Sequence, residues 1–175
     1  MNVGLLKTSL VNFPGRVCAA VFLPGCNLRC PFCHNAELAC ASVVSGPKGA
    51  ESGAYATLDE VFAHLEKRRT VIGGLAISGG EPLLSSALGP LIEKARSLSL
   101  AVKIDTNGTL PDRLQAILGD AALRPDMVAV DVKTVPARYG ELATESGAGA
   151  RCGNELLRTL DILARDESSD GERAA

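Results

Sequence analysis

Cys26, Cys30 and Cys33 set three thiols in a C-x3-C-x2-C spacing, directly after an apolar run that ends at Pro24-Gly25. Clustered thiolates of this kind suit an iron-sulfur cluster. A four-iron cluster normally takes four protein thiolates, so a compact loop that offers three leaves one iron for an exogenous ligand. An open metal position is where catalysis happens.

Two plainer chemistries use the same residues. His34 could complete a zinc site of three cysteines and one histidine, but it is adjacent to Cys33, whereas zinc ligands usually come as two separated pairs. Cys40 could supply a fourth thiolate and close the cluster into an electron carrier, though nothing else in the chain looks like a ferredoxin. Isolated Cys18 and Cys152 read as small buried hydrophobes.

Three further groups of residues could do chemistry. Ser78-Gly79-Gly80-Glu81-Pro82 follows an apolar run, and its paired glycines allow either a ligand to approach the backbone closely or a simple turn. Asp105-Thr106-Asn107-Gly108 is an Asn-Gly turn at its plainest. Asp131-Val132-Lys133 sets an Asp and a Lys on one face of an extended segment, as an ion pair or as two polar arms of a site. His34 and Asn35 either cap the cysteine loop or touch a substrate. His64 lies among Glu66, Lys67, Arg68 and Arg69, a run that reads as a solvated helix face.

The elements that must position these groups are legible from periodicity. Arg16 to Leu23 is a short continuous apolar run, as expected of a strand buried on both faces. Thr57 to Glu60 is a capping box, followed by Leu58, Val61, Phe62 and Leu65 at helical spacing. Gly74 to Ser78 reads as a strand. Leu88, Leu91, Ile92, Ala95 and Leu98 mark a helix with Pro90 in its first turn. Strand Ala101 to Asp105, a helix opened by Pro111 with Leu114, Ile117 and Leu118, strand Met127 to Val132, and a last helix with Leu156, Leu157, Leu160 and Leu163 complete the series. Four βα units in succession predict a parallel sheet with right-handed crossovers. The Ser, Gly and Ala-rich stretch 41–56 reads as an exposed loop, either a lid or a tolerated insertion. Residues 166–175 read as a disordered polar tail after one domain over 1–165.

Composition narrows the class. The chain has 175 residues, 46% of them apolar, enough for a single domain with a real core. With 18 basic and 20 acidic residues the net charge is -2, so no electrostatic case exists for nucleic acid or a membrane surface. The first residues lack a signal-peptide core and no apolar run has membrane-spanning length, so a cytoplasmic protein with reduced thiols is expected. Aromatic residues make up only 3%, as in aliphatic strand-helix repeats.

The cysteine loop, with Phe32 between the second and third thiols, resembles the signature of the radical S-adenosylmethionine (SAM) superfamily. Gly-Gly-Glu-Pro one strand later matches a second motif of that family. The resemblance implies an α/β fold, a partial (β/α) TIM-like barrel, with Cys26, Cys30 and Cys33 ligating a [4Fe-4S] cluster and SAM chelating the open iron. An electron from the cluster would cleave SAM, and the 5'-deoxyadenosyl radical would abstract hydrogen from a substrate. It further implies that Phe32, Ser78, Gly79, Gly80, Glu81, Asp105, Thr106, Asn107, Asp131 and Lys133 shape the SAM pocket, with Lys133 meeting the SAM carboxylate.

Phe13-Pro14-Gly15-Arg16 leading into the cysteine loop resembles the activases of anaerobic ribonucleoside-triphosphate reductase, which place a glycyl radical on a partner enzyme. A flavodoxin or ferredoxin would supply the electron. A small-molecule enzyme related to 7-deazapurine synthases, or a non-catalytic iron-sulfur or zinc module, are the rival readings. Activases of this kind have five or six barrel strands, so about four βα units predict a barrel shortened at its C-terminus, with an uncovered edge prone to association.

Overall fold

The computed structural model describes residues 1–42, 55–144 and 149–173. In chain order the elements are β1 (Asn2–Ser9), β2 (Cys18–Leu23), α1 (Ala36–Cys40), β3 (Tyr55–Thr57), α2 (Leu58–Arg68), β4 (Gly74–Gly79), α3 (Leu88–Ser97), β5 (Ala101–Thr106), α4 (Pro111–Gly119), β6 (Met127–Val130) and α5 (Gly149–Arg173). The strands make one six-stranded sheet in the order β3-β1-β2-β4-β5-β6.

The four expected strands form its parallel part, with Leu23 opposite Gly79, Ile77 opposite Ile104 and Thr106 opposite Val130. Side chains alternate across the sheet. Val21, Leu23, Leu75, Ile77, Val102 and Ile104 face the helices, where they pack with Val61, Leu65, Leu91, Ile92 and Leu114. Each such side chain contributes about 1.5–3 kcal/mol through burial. The opposite face carries smaller groups, Cys18, Ala20 and Ala76, covered at one end by Phe13. The predicted capping box forms, with Glu60 N–H donating to Thr57 Oγ1 and Thr57 N–H donating to Glu60 Oε2. The result is the α/β partial barrel that the parallel run of βα units requires.

Several boundaries differ from the sequence expectation. β1 and β3 were not foreseen. They add to the β2 edge as antiparallel strands, and the exposed middle of β1 blurs its alternation. β6 stops at Val130, two residues early, because Asp131 N–H makes a last bond to Thr106 O at 2.8 Å and Lys133 N–H turns to the Tyr139 hydroxyl at 2.9 Å. Residues 166–173 continue α5 instead of forming a tail. Extending an existing helix avoids the cost of a new nucleus, and an Arg165–Asp161 pair supports the turn just before residue 166. On α5 only Leu156 of the expected stripe is fully buried, whereas Leu157 and Leu160 are exposed beyond the β6 edge. Of stretch 41–56, residues 43–54 lie outside the described residues and Tyr55 and Ala56 begin β3. Among the described residues no helix is long and apolar enough to cross a membrane.

The exits of β2 and β4 approach so closely that a side chain has no room. Gly79 has φ of 125°, and a Cβ there would lie 2.3 Å from Leu23 backbone atoms; at Gly80 it would lie 2.0 Å from Gly25 O. Gly79→Ala is therefore expected to destabilise the fold by roughly 3 kcal/mol or more, read as a lowered urea midpoint.

Candidate active site

Cysteine-loop placement begins at Gly25, whose φ of 83° turns the chain out of β2 and whose N–H donates to Leu38 O of α1. The loop is then held by a segment far along the chain. Leu28 makes an isolated antiparallel bridge with Ala143, Arg29 N–H donates to Leu142 O at 2.7 Å, and Thr144 N–H donates to Asn27 O at 3.2 Å. Leu28 is the buried anchor, packed with Tyr139, Leu142, Cys152 and Leu156, and Cys26 and Cys30 rest against the same cluster.

Cys26, Cys30 and Cys33 line one cleft of about 310 Å3 at the carboxyl ends of the parallel strands. Phe32 from the loop, Ser78, Gly79 and Gly80 from the β4 exit, Asn107 after β5, and Asp131 and Lys133 after β6 line it with them. The structure thus brings these sequence-predicted residues together from four strand ends. His34, Asn35 and Ala39 also face this cleft, whereas Cys40 is exposed on α1 and does not line it.

Three predicted residues are elsewhere. Glu81 is fully buried, and its carboxylate accepts from Leu83 N–H at 3.1 Å, Thr106 Oγ1 at 2.9 Å and Asn107 N–H at 2.7 Å. Thr106 is consequently spent on Glu81 and faces the helix side of the sheet. Asp105 lies on the other face but turns down the strand to pair with Lys103, two residues earlier on the same face. None of these three side chains lines the cleft.

Asn27 and Thr109 are residues that sequence reasoning missed. Asn27 Nδ2 donates to Thr109 Oγ1 at 2.7 Å, and both bond to Asn107. Tyr139 and the 142–144 segment were missed too. Their only signal was a buried aromatic in a chain poor in aromatics, because the contacts they make join residues remote in sequence.

The cleft sets its three thiols beside one lysine cation. Burial pushes the Cys26 and Cys30 thiols up, opposed at Cys26 by the Leu28 N–H and at Cys30 by the Lys133 charge. Lys133 is drawn down by burial but held above its usual value by the hydrogen bond and charge of Asp131, with Cys30 and Cys33 adding to this. Its ammonium bonds to Asp131 Oδ2 at 2.9 Å. Among the described residues no three His, Cys, Asp or Glu side chains gather closely enough to share one metal ion. A four-iron cluster spreads three thiolates over three irons, and the three cysteines that line the cleft fit that donor set.

The radical SAM superfamily model matches residues 20–165. This chain belongs to that superfamily. Radical SAM proteins use a [4Fe-4S] cluster and SAM. A Methanocaldococcus jannaschii protein whose name proposes a glycyl-radical enzyme activating enzyme is 29% identical, over 93% of this chain and 62% of its own length. The 7-carboxy-7-deazaguanine synthase of Hyperthermus butylicus is 39% identical over 72% of this chain and 48% of its own. The pyruvate formate-lyase-activating enzyme of Listeria monocytogenes is 30% identical over 73% and 52%. The chain therefore spans 48% to 62% of the length of these radical SAM relatives. Among solved structures, QueE from Escherichia coli has a TM-score of 0.48 at 18% identity, over 95% of this chain and 74% of that one.

Glu81 provides a pH test of the strand exits. Burial pushes its carboxyl up to about 7, against the three donors that favour the ionised form. Because the folded value lies above the unfolded one, this contribution is full below about pH 4.5 and declines as pH rises to about 7. The stability advantage of the parent over Glu81→Gln should therefore shrink by about 3 kcal/mol between pH 4.5 and 7.5, measured by paired urea titrations.

Proposed function

We propose that Cys26, Cys30 and Cys33 ligate a [4Fe-4S] cluster and that the rest of the cleft receives SAM at the open iron. The lining of one cleft by three thiols and one lysine ammonium at the carboxyl ends of the parallel strands carries this reading. When bound, the cluster supplies the electron that cleaves SAM to methionine and a 5'-deoxyadenosyl radical. The chain's own residues orient and shield that pair. Lys133 stays charged and offers its ammonium to the SAM carboxylate, with Asp131 fixing its direction. Gly79 and Gly80 line the cleft with main chain beside Ser78, and SAM would lie against this β4 exit. Phe32, which is 55% exposed, presents an apolar ring at the mouth.

The reaction proposed is abstraction of a glycine Cα hydrogen on a partner glycyl-radical enzyme, anaerobic ribonucleoside-triphosphate reductase. Reduction by a flavodoxin or ferredoxin in the cytoplasm would precede it. Relatives named as glycyl-radical activases and a pyruvate formate-lyase-activating enzyme support the class of partner. A second reading, radical chemistry on a small 7-deazapurine precursor, is supported by the 39% and 34% identity to 7-carboxy-7-deazaguanine synthases.

After anaerobic reconstitution, SAM should change the EPR spectrum of the reduced cluster, and 5'-deoxyadenosine should form. Cys30→Ala should abolish both, and Lys133→Ala should weaken SAM binding about tenfold or more, the cost of losing one charge-assisted hydrogen bond. An unchanged spectrum together with no 5'-deoxyadenosine would sink the enzyme reading. A glycyl-radical doublet on added reductase supports the activase, while turnover of a small substrate without any protein partner supports the second reading.

A further inference from the structure

Asn107 lines the cleft with 4% of its surface exposed, yet its side chain is already committed within the protein. Its Oδ1 accepts from Thr109 N–H at 3.0 Å and from Thr109 Oγ1 at 2.7 Å. A backbone N–H can only donate, so the oxygen end of the amide must face Thr109 and the NH2 end must face the cysteine loop. There Nδ2 donates to Asn27 Oδ1 at 2.9 Å and reaches Cys26 Sγ at 3.8 Å. Asn27 Nδ2 closes the ring on Thr109 Oγ1. Thr109 is fully buried, and Asn107 is fixed from below by its own N–H on Glu81. The amide is thus held rigidly on the sulfur and retains no free donor for SAM.

We propose that Asn107 is a positioning residue that donates a hydrogen bond to a cluster-ligating sulfur and thereby raises the reduction potential of the cluster. This rests on the reading of Cys26 as a ligand given above. Reduction adds one electron to an iron-sulfur core whose negative charge is shared with its ligand sulfurs, and an N–H aimed at a sulfur stabilises the more negative state. Leu28 N–H, 3.4 Å from the same Sγ, is a second donor fixed by the backbone. The Asn107 amide is the donor that a side-chain change can remove. Asn27 and Thr109 act through it by fixing its plane.

The test is an EPR-monitored redox titration of the reconstituted cluster without SAM, with iron and sulfide content measured on each sample. Asn107→Ala is expected to lower the reduced-to-oxidised ratio at a fixed potential about tenfold, a midpoint about 59 mV more negative for one electron. Asn107→Asp, which exchanges the donor for a negative charge, should shift it further in the same direction. Thr109→Val should give a smaller negative shift and add nothing to Asn107→Ala in the double variant. An unchanged midpoint in Asn107→Ala with full cluster content overturns the proposal. If Asn107→Ala does not hold the cluster, Thr109→Val decides, and an unchanged midpoint there overturns it equally. A parent protein that takes up no [4Fe-4S] cluster refutes the cluster reading itself, an outcome distinct from a cluster that forms and titrates identically in every variant.

Discussion

One buried carboxylate holds the mouth of the sheet together. Glu81 accepts from three donors on two elements, the turn after β4 and the end of β5, while its own N–H donates to Gly25 O at the exit of β2. Three strand ends are therefore tied through one residue. Burying an ionisable group is costly unless every lone pair has a partner, and here the hydrogen bonds offset a burial that raises the carboxyl to about 7. A shorter acid would not span the turn, and an amide would set a donor against the Asn107 N–H. The position of Asn107, and through it the orientation of the Asn27 and Cys26 side, follows from this arrangement.

The glycines preceding Glu81 complete the same constraint. Because neither carries a side chain, the β4 exit lies directly on the β2 exit, with Gly80 N–H donating to Leu23 O at 2.9 Å. What approaches these glycines within the fold is the chain's own backbone. The cleft that results is walled by main chain on one side and by Lys133 and Asp131 on the other. Lys133 is set by the Tyr139 hydroxyl, itself buried under α5.

Parallel strands and helices were legible because they obey simple periods. β2 and β4 are largely apolar on both faces and β5 on one, and α2 and α3 show clear stripes after a capping box or a first-turn proline. β1 and β3 escape a reading by period because β3 has only three residues and β1, with Gly4 and an exposed middle, shows neither period. Leu157 and Leu160 lie on the expected helix but are exposed, because an apolar residue at helical spacing is buried only if an element faces it, and sequence periodicity does not say which does. Cys26, Cys30, Cys33, Gly79, Gly80, Asn107, Asp131 and Lys133, which the resemblance to the superfamily singles out, line the same cleft. The hydrogen bond between Thr106 and Glu81 crosses 25 residues, so spacing gives no sign of it. Asn27 gave no signal, since its partners lie about 80 residues away.

The bracing of the cysteine loop also sets an order in time. Asn27 O is held by Thr144, 117 residues later, and Leu28 by Ala143. Contacts of such sequence separation form late, after the loop-closure entropy has been offset by the intervening strands and helices. During synthesis the three thiols leave the ribosome long before the segment that braces them exists. The loop that carries the three thiols can therefore take its braced form only after residues 142–144 have been made.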